Sequence, residues 1–297
     1  VLMSSSEAAA AYACAVRFGE LCRLEARMRA ELGEDAYRAL TAETVVEQFV
    51  RPATEARRCR YAALLDGAHV GEPDVFISHR WASPFHQLMA NLRISLADVA
   101  AAAARERGAA AVAAEELRIW LDIFAVNQHP GAEQQLDLHH LMEAVKRARL
   151  GTLMVFDADG LVLTRVWCLF EVQHTVLAGR RLRLAVHHLD GDAMWEQFEN
   201  LNIKRAQATK EEDRVRIIAE IERVLGIADT ERKIRTAMEE AVIAEADEAM
   251  RVAPDALETA GKAYKCGKML MMGGRAAASV EYLERALAIE EKHYGSD

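Results

Sequence analysis

The sequence predicts an α/β protein, a parallel sheet with helices on both faces, extended at either end by helical segments. Three observations carry that expectation. Short apolar runs with strand character recur at residues 74–78, 117–124, 152–156 and 181–187. Segments of helical periodicity lie between them, at 84–104, 137–149 and 170–177. Strands that alternate with helices pair in parallel, because each helix carries the chain back over the sheet.

The elements group into four parts. Residues 1–70 read as a helical N-terminal extension, in which 8–32 is rich in alanine, leucine and arginine and so has high helix propensity. Thr41 begins a further helix as a capping residue ahead of an apolar stripe, and Gly67, Gly71 and Pro73 punctuate a boundary. Residues 71–191 form the α/β part. Residues 192–252 are charged connector helices, with acid–base pairs at helical spacing from Lys210 onward. Residues 253–297 read as a helix pair hinged at Gly273-Gly274, with Ala260, Gly261, Ala263 and Gly267 opposite Ala286 and Leu287.

Composition removes several function classes. The chain has 297 residues, a formal charge of −9, and 52% hydrophobic against 28% charged residues, an ordinary globular balance. That charge draws the chain toward neither nucleic acid nor anionic lipid, and Arg180-Arg181 is too short a cluster to reverse it. Five cysteines, an odd number without a C-x-x-C pair, argue against a disulfide framework or a zinc site and fit a reducing cytosol. The pairs His139-His140 and His187-His188 form no chelate, since adjacent residues on a helix or strand point apart. No P-loop and no G-x-G-x-x-G occurs. The apolar runs are too short for a membrane span, and the N-terminus does not read as a secretory leader.

One carboxylate stands out. Glu171 follows the 152–156 run and a polar turn, at the start of a helical segment, which is where open α/β sheets build ligand crevices. Trp167, four residues earlier, shares its helix face. Spacing alone leaves two readings open: an aromatic wall beside a ligand-facing acid, or a core tryptophan beside a solvated first-turn acid favoured by the helix dipole. Cys168 between them reads as a small buried hydrophobe, with no base beside it in sequence.

Four boxes in order resemble the TIR domain, the Toll/interleukin-receptor module. Residues 74–80, Asp-Val-Phe-Ile-Ser-His-Arg, are similar to its first-strand box. Ile119-Trp-Leu-Asp122 resembles its second strand, which ends on an acid before a mobile loop, here residues 124–135. Leu153-Met-Val-Phe156 resembles the third strand. Arg165-Val-Trp-Cys-Leu-Phe-Glu171 resembles the plant-type Trp-Cys-Leu segment and fits the W-x-x-x-E pattern of NAD-consuming members. The resemblance covers residues 72–190. From residue 41 it extends to TIR-like proteins of algae and other protists with the same Ser-His-x-Trp, Asn-Gln-His and Trp-Cys-Leu-Phe-Glu signatures. The alanine-rich insertion at 97–114 and the Asn-Gln-His loop depart from the family pattern. The C-terminal helix pair resembles a tetratricopeptide unit of the kinesin-light-chain type; one such repeat does not bury its own face, so more repeats are expected after Asp297.

The resemblance implies a flavodoxin-like TIR fold and cleavage of the nicotinamide–ribose bond of NAD+, a substrate rather than a cofactor, with no metal. Glu171 takes the catalytic role. His79, Arg80 and Trp81 contact nicotinamide and phosphates, Asp122 and Asn127 shape the loop side, and Trp167 packs near the ribose or nicotinamide. Each has a structural counterpart: Ser78 and Asp122 as backbone caps, His79 as a half-buried histidine, Trp81 as core. The implied protein is cytoplasmic and self-associating, and binds protein partners through its repeats. The alternative is a non-catalytic adaptor with the same fold.

Overall fold

The computed structural model describes residues 12–295 except 109, 111, 158, 188 and 190. Residues 1–11, with the N-terminus that does not read as a leader and the first residues of the expected 8–32 helix, lie outside the described residues, as does His188. The chain forms two compact units, residues 1–157 with 174–181, and residues 158–173 with 182–297.

The first unit is α/β. Its elements are β1 (Ala15–Arg17), α1 (Phe18–Leu32), β2 (Val70–Gly71), β3 (Val75–Ser78), α2 (Phe85–Arg107), β4 (Arg118–Trp120), α3 (Ala132–Arg147) and β5 (Thr152–Val155), with short helical segments between them, the longest a continuous stretch over 42–54. The sheet runs β2-β1-β4-β3-β5 through this unit. β3 pairs in parallel with β4, Val75 opposite Ile119, and with β5, Ile77 opposite Leu153. All four residues of β3 and of β5 are buried, as continuous apolar runs in parallel sheets should be.

The edge differs from the expected all-parallel sheet. β1 runs antiparallel to β4, with Val16 opposite Ile119, and antiparallel to β2. The 8–32 stretch is therefore not one helix. Its alanine-rich start has helix propensity, but Ala15 and Val16 are 0% and 2% exposed in the sheet, and burial against a strand partner outweighs propensity. β4 is also shorter than the expected 117–124 strand. The chain turns helical at Asp122–Ala125, which buries Phe124 against Tyr61 with ring centroids 5.2 Å apart.

α2 takes up part of the alanine-rich insertion. It runs 23 residues to Gly108, whose φ of 61° is the left-handed cap that ends it. Val99, Ala100 and Ala102 to Ala104 are buried. Between α3 and β5 the chain passes Gly151 at φ 94°, where an added Cβ would fall on the Arg181 carbonyl oxygen. Only glycine fits that approach.

The second unit is mainly helical. It holds α4 (Val166–Leu177) through Gln173, β6 (Leu182–Ala185), α5 (Gly191–Glu199), α6 (Glu211–Val224), α7 (Ile227–Val252), α8 (Leu257–Met272) and α9 (Ala276–Tyr294). α7 packs on β6 and α8 through a stripe spaced four residues apart, Ile234, Met238, Val242 and Ala246, the period of one helix face. The α8–α9 hairpin turns at Gly273 and Gly274. Its close crossing is set by Gly267, where a Cβ would strike Leu283. Ala286 is buried at 3%, but Leu287, expected at the crossing, is 56% exposed. The helix turns 100° per residue, so Leu283 and Ala286 face inward and Leu287 does not. Among the described residues, no helix is long and apolar enough to cross a membrane.

Candidate functional site

The polar residues that follow the parallel strands collect at one end of the sheet. β3 delivers His79, Arg80 and Trp81; β4 delivers Asp122; β5 delivers Asp157. The chain runs from β3 through α2 to β4 on one side, then through α3 to β5 on the other. That reversal leaves a crevice between the carboxyl ends of β3 and β5, the switch point at which open α/β sheets bind ligands.

Asp122 ties two of the expected residues together. Trp81 Nε1 donates to Asp122 Oδ2 at 2.6 Å. His79 Nδ1 lies 3.8 Å from Asp122 Oδ1. Burial of His79 holds its pKa below the usual histidine value, because the charged ring would lose hydration, while the nearby Asp122 carboxylate acts in the opposite sense. The imidazole is therefore neutral at physiological pH, suited to accept or donate a hydrogen bond and not to bind an anion.

Arg80 is the cation of the crevice, and it is engaged. Its Nη1 donates to Asp157 Oδ2 at 2.8 Å, and Ser83 Oγ donates to the same oxygen at 3.0 Å. A small recess of about 10 Å³ lies beside this pair, lined among others by His79, Gln87 and Asn91. That is barely the space of one water, so a ligand gains room here only where a side chain moves aside. Asn91 Nδ2 donates to the Gln87 carbonyl at 2.9 Å. Asn91 Oδ1, Gln87 Oε1 and Asp157 Oδ1 are buried without hydrogen-bond partners among the described residues.

The segment between β3 and α2 is held by the N-terminal region. Glu43 N–H donates to the Trp81 carbonyl at 3.2 Å and Phe85 N–H to the Leu40 carbonyl at 2.8 Å. Thr41 caps the next turn reciprocally with Thr44, the capping role read from sequence.

Asn127 stands apart from this cluster. Its N–H donates to Asp137 Oδ2 at 2.8 Å, and its Nδ2 donates to the Arg58 carbonyl and to Glu133 Oε2. Asp137 in turn receives both arms of Arg60. Gln128 donates to the Asp122 carbonyl, and His129 meets Thr54 Oγ1 at 2.8 Å. The stretch expected as a mobile loop over 124–135 is thus a short pinned segment, with Phe124 in one helical turn and α3 beginning at Ala132. Buried side-chain amides that bond to backbone fix a loop.

Trp167 and Glu171 belong to the second unit. Within it the Arg216 guanidinium sits 5.3 Å over the Trp167 ring, and Phe170 meets its edge at 6.5 Å. Glu171 is 8% exposed, so the reading of a solvated first-turn acid does not hold. Cys168 is buried at 3%.

Sequence reasoning overlooked Asp157, Ser83, Gln87 and Asn91. Two signals pointed to them: an acid directly after a strand, and a Gln–Asn pair four residues apart on one helix face. Among the described residues, no group of three or more His, Cys, Asp or Glu is placed to hold a metal ion. No family model, no curated protein and no solved structure matches this chain.

Proposed function

We propose that the chain is a TIR-type NAD+ glycohydrolase with a flavodoxin-like core, releasing nicotinamide and ADP-ribose or a cyclic isomer. The observation that supports this reading is the convergence of His79, Arg80, Trp81 and Asp122 with Asp157 at the sheet's switch point. A neutral imidazole, an indole and a guanidinium are the groups that would meet a heteroaromatic amide and a diphosphate.

The chemistry asks little of the protein. Nicotinamide leaves the ribose as a neutral molecule, so no acid is needed to protonate it. What remains is stabilisation of an oxocarbenium-like ribose by a positioned carboxylate, the role that the resemblance gives to Glu171. Burial of that carboxylate is consistent with the role, because its charge acts more strongly out of water. In this reading the protein works in a reducing cytoplasm, in signalling or defence, and self-association gates its activity. The helical hairpin recognises protein partners. Nucleic acid and membrane have no part in it.

The experiment is nicotinamide release by concentrated protein, wild type against Glu171→Gln. Loss of about two or more orders of magnitude is expected for a transition-state charge contact. Equal turnover in the two proteins would sink the assignment. A second reading, a non-catalytic adaptor, is favoured by α9, where Val280, Leu287 and Tyr294 recur every seventh residue at 48%, 56% and 74% exposure. It predicts self-association indifferent to both NAD+ and Glu171→Gln.

A further inference from the structure

Two donors at the start of α2 meet on one oxygen. Arg80 Nη1 and Ser83 Oγ both donate to Asp157 Oδ2, at 2.8 and 3.0 Å. A guanidinium and a hydroxyl just ahead of a 23-residue helix are the groups that ordinarily hold a phosphate oxygen. Here they hold a carboxylate contributed from 77 positions along the chain.

That carboxylate is a half-satisfied occupant. Asp157 is 6% exposed, and its Oδ1 is buried with no hydrogen-bond partner among the described residues. A buried carboxylate oxygen without a donor works against the arrangement that buries it. The recess beside the pair, lined by Arg80, Ser83 and Asp157 as well as Gln87 and Asn91, holds only about 10 Å³, so an incoming group gains its room where the Asp157 carboxylate leaves. Three observations therefore coincide: donors suited to a phosphate, an internal anion seated on them, and an unmet acceptor on that anion.

We propose that Asp157 masks an anion site formed by Arg80 and Ser83, and that the ligand of this site is a phosphate or diphosphate group. The ligand binds by displacing Asp157 from Arg80, so apparent affinity is the intrinsic affinity reduced by the fraction of molecules in which the pair is open. Asp157 thereby sets the ligand concentration at which the crevice fills. The inference rests on the reading above in taking Arg80 as a phosphate contact; neither Glu171 nor bond cleavage enters it.

The test is pyrophosphate binding to the full chain by isothermal titration calorimetry. It compares wild type, Asp157→Asn, and Asp157→Asn combined with Arg80→Gln. Removing the masking charge is expected to tighten binding at least about tenfold, equivalent to about 1.4 kcal/mol. The added Arg80→Gln is expected to abolish that gain. Asp157→Ser carries the same expectation and replaces the Asn variant if that one does not fold. Equal affinity in wild type and the folded Asp157 variant overturns the proposal, as does a gain that survives Arg80→Gln. Nicotinamide release is not read here, so the two readings fail separately. Unmasking in a chain that cleaves no NAD+ removes the glycohydrolase alone, and cleavage without unmasking removes the mask alone.

Discussion

The two compact units differ in how their charged residues are paired. In the α/β unit, beside local surface pairs such as Arg38–Glu34 and Arg147–Glu143, buried acids take partners from far along the chain. Arg60 meets Asp137 and Arg80 meets Asp157, each across 77 positions, and Trp81 meets Asp122 across 41. In the helical unit most ion pairs of α6 and α7 are local: Arg214, Arg216, Arg223 and Arg251 each reach a carboxylate three residues earlier, while Glu245 and Glu239 of α7 meet Lys262 and Arg275. The long-range pairs include carboxylates that are nearly inaccessible, Asp137 at 2% and Asp157 at 3% of their side-chain surface. The local pairs face solvent. A buried acid left without its partner is strongly unfavourable, whereas an exposed pair contributes little. The α/β unit thus uses its buried charge pairs to specify which loops meet, and the pairs along α6 and α7 mainly cover helix surface.

The contrast can be broken most directly at Asp137. Asp137→Ala leaves the Arg60 guanidinium without its carboxylate and the Asn127 N–H without its acceptor. A loss of about 3 kcal/mol is expected in urea denaturation. A loss below about 1 kcal/mol would mean that the 127–131 segment is held mainly by its amide bonds to backbone.

His79 sharpens the comparison through pH. Its folded pKa is lowered, chiefly by burial, so below the ordinary histidine value of about 6.5 the unfolded chain takes up a proton that the folded ring refuses. Stability from this group is complete above that value and declines as pH falls below it. His79→Gln should flatten the fall in urea midpoint between about pH 8 and about pH 5. An unchanged slope would place the acid sensitivity in other groups. The smallest effect is expected at the exposed end of the scale. Arg223→Ala breaks the surface pair with Glu220 and should leave the thermal midpoint unmoved; a clear drop would show that local pairs matter more here than their exposure implies.

Much of the fold was legible because its signals are local. The parallel strands announce themselves as apolar runs at 74–78, 117–124 and 152–156, and the hairpin by Gly273-Gly274. The strand β1, second from the sheet edge, was not legible, since Ala15 and Val16 sit in a helix-favouring stretch and become strand only through Ile119 and Gly71. The site divides the same way. His79, Arg80, Trp81 and Asp122 could be read from their place after a strand, and the structure does bring them together. Asp157 passed for an ordinary turn residue, because nothing within a few positions of it names Arg80 as its partner. Asn127 was assigned to the crevice, yet its bonds go to Arg58, Glu133 and Asp137.

The sequence by itself determined the α/β alternation, the helical C-terminal part and the candidate carboxylate Glu171, because hydrophobic period and short motifs are properties of neighbouring residues. Only the tertiary structure decided that the N-terminal region completes the sheet edge, that the expected mobile loop is pinned, and that Arg80 is already bound to an acid. Those outcomes depend on which distant groups share a buried space, and there the energy of leaving a charge or an amide unpaired outweighs any local preference.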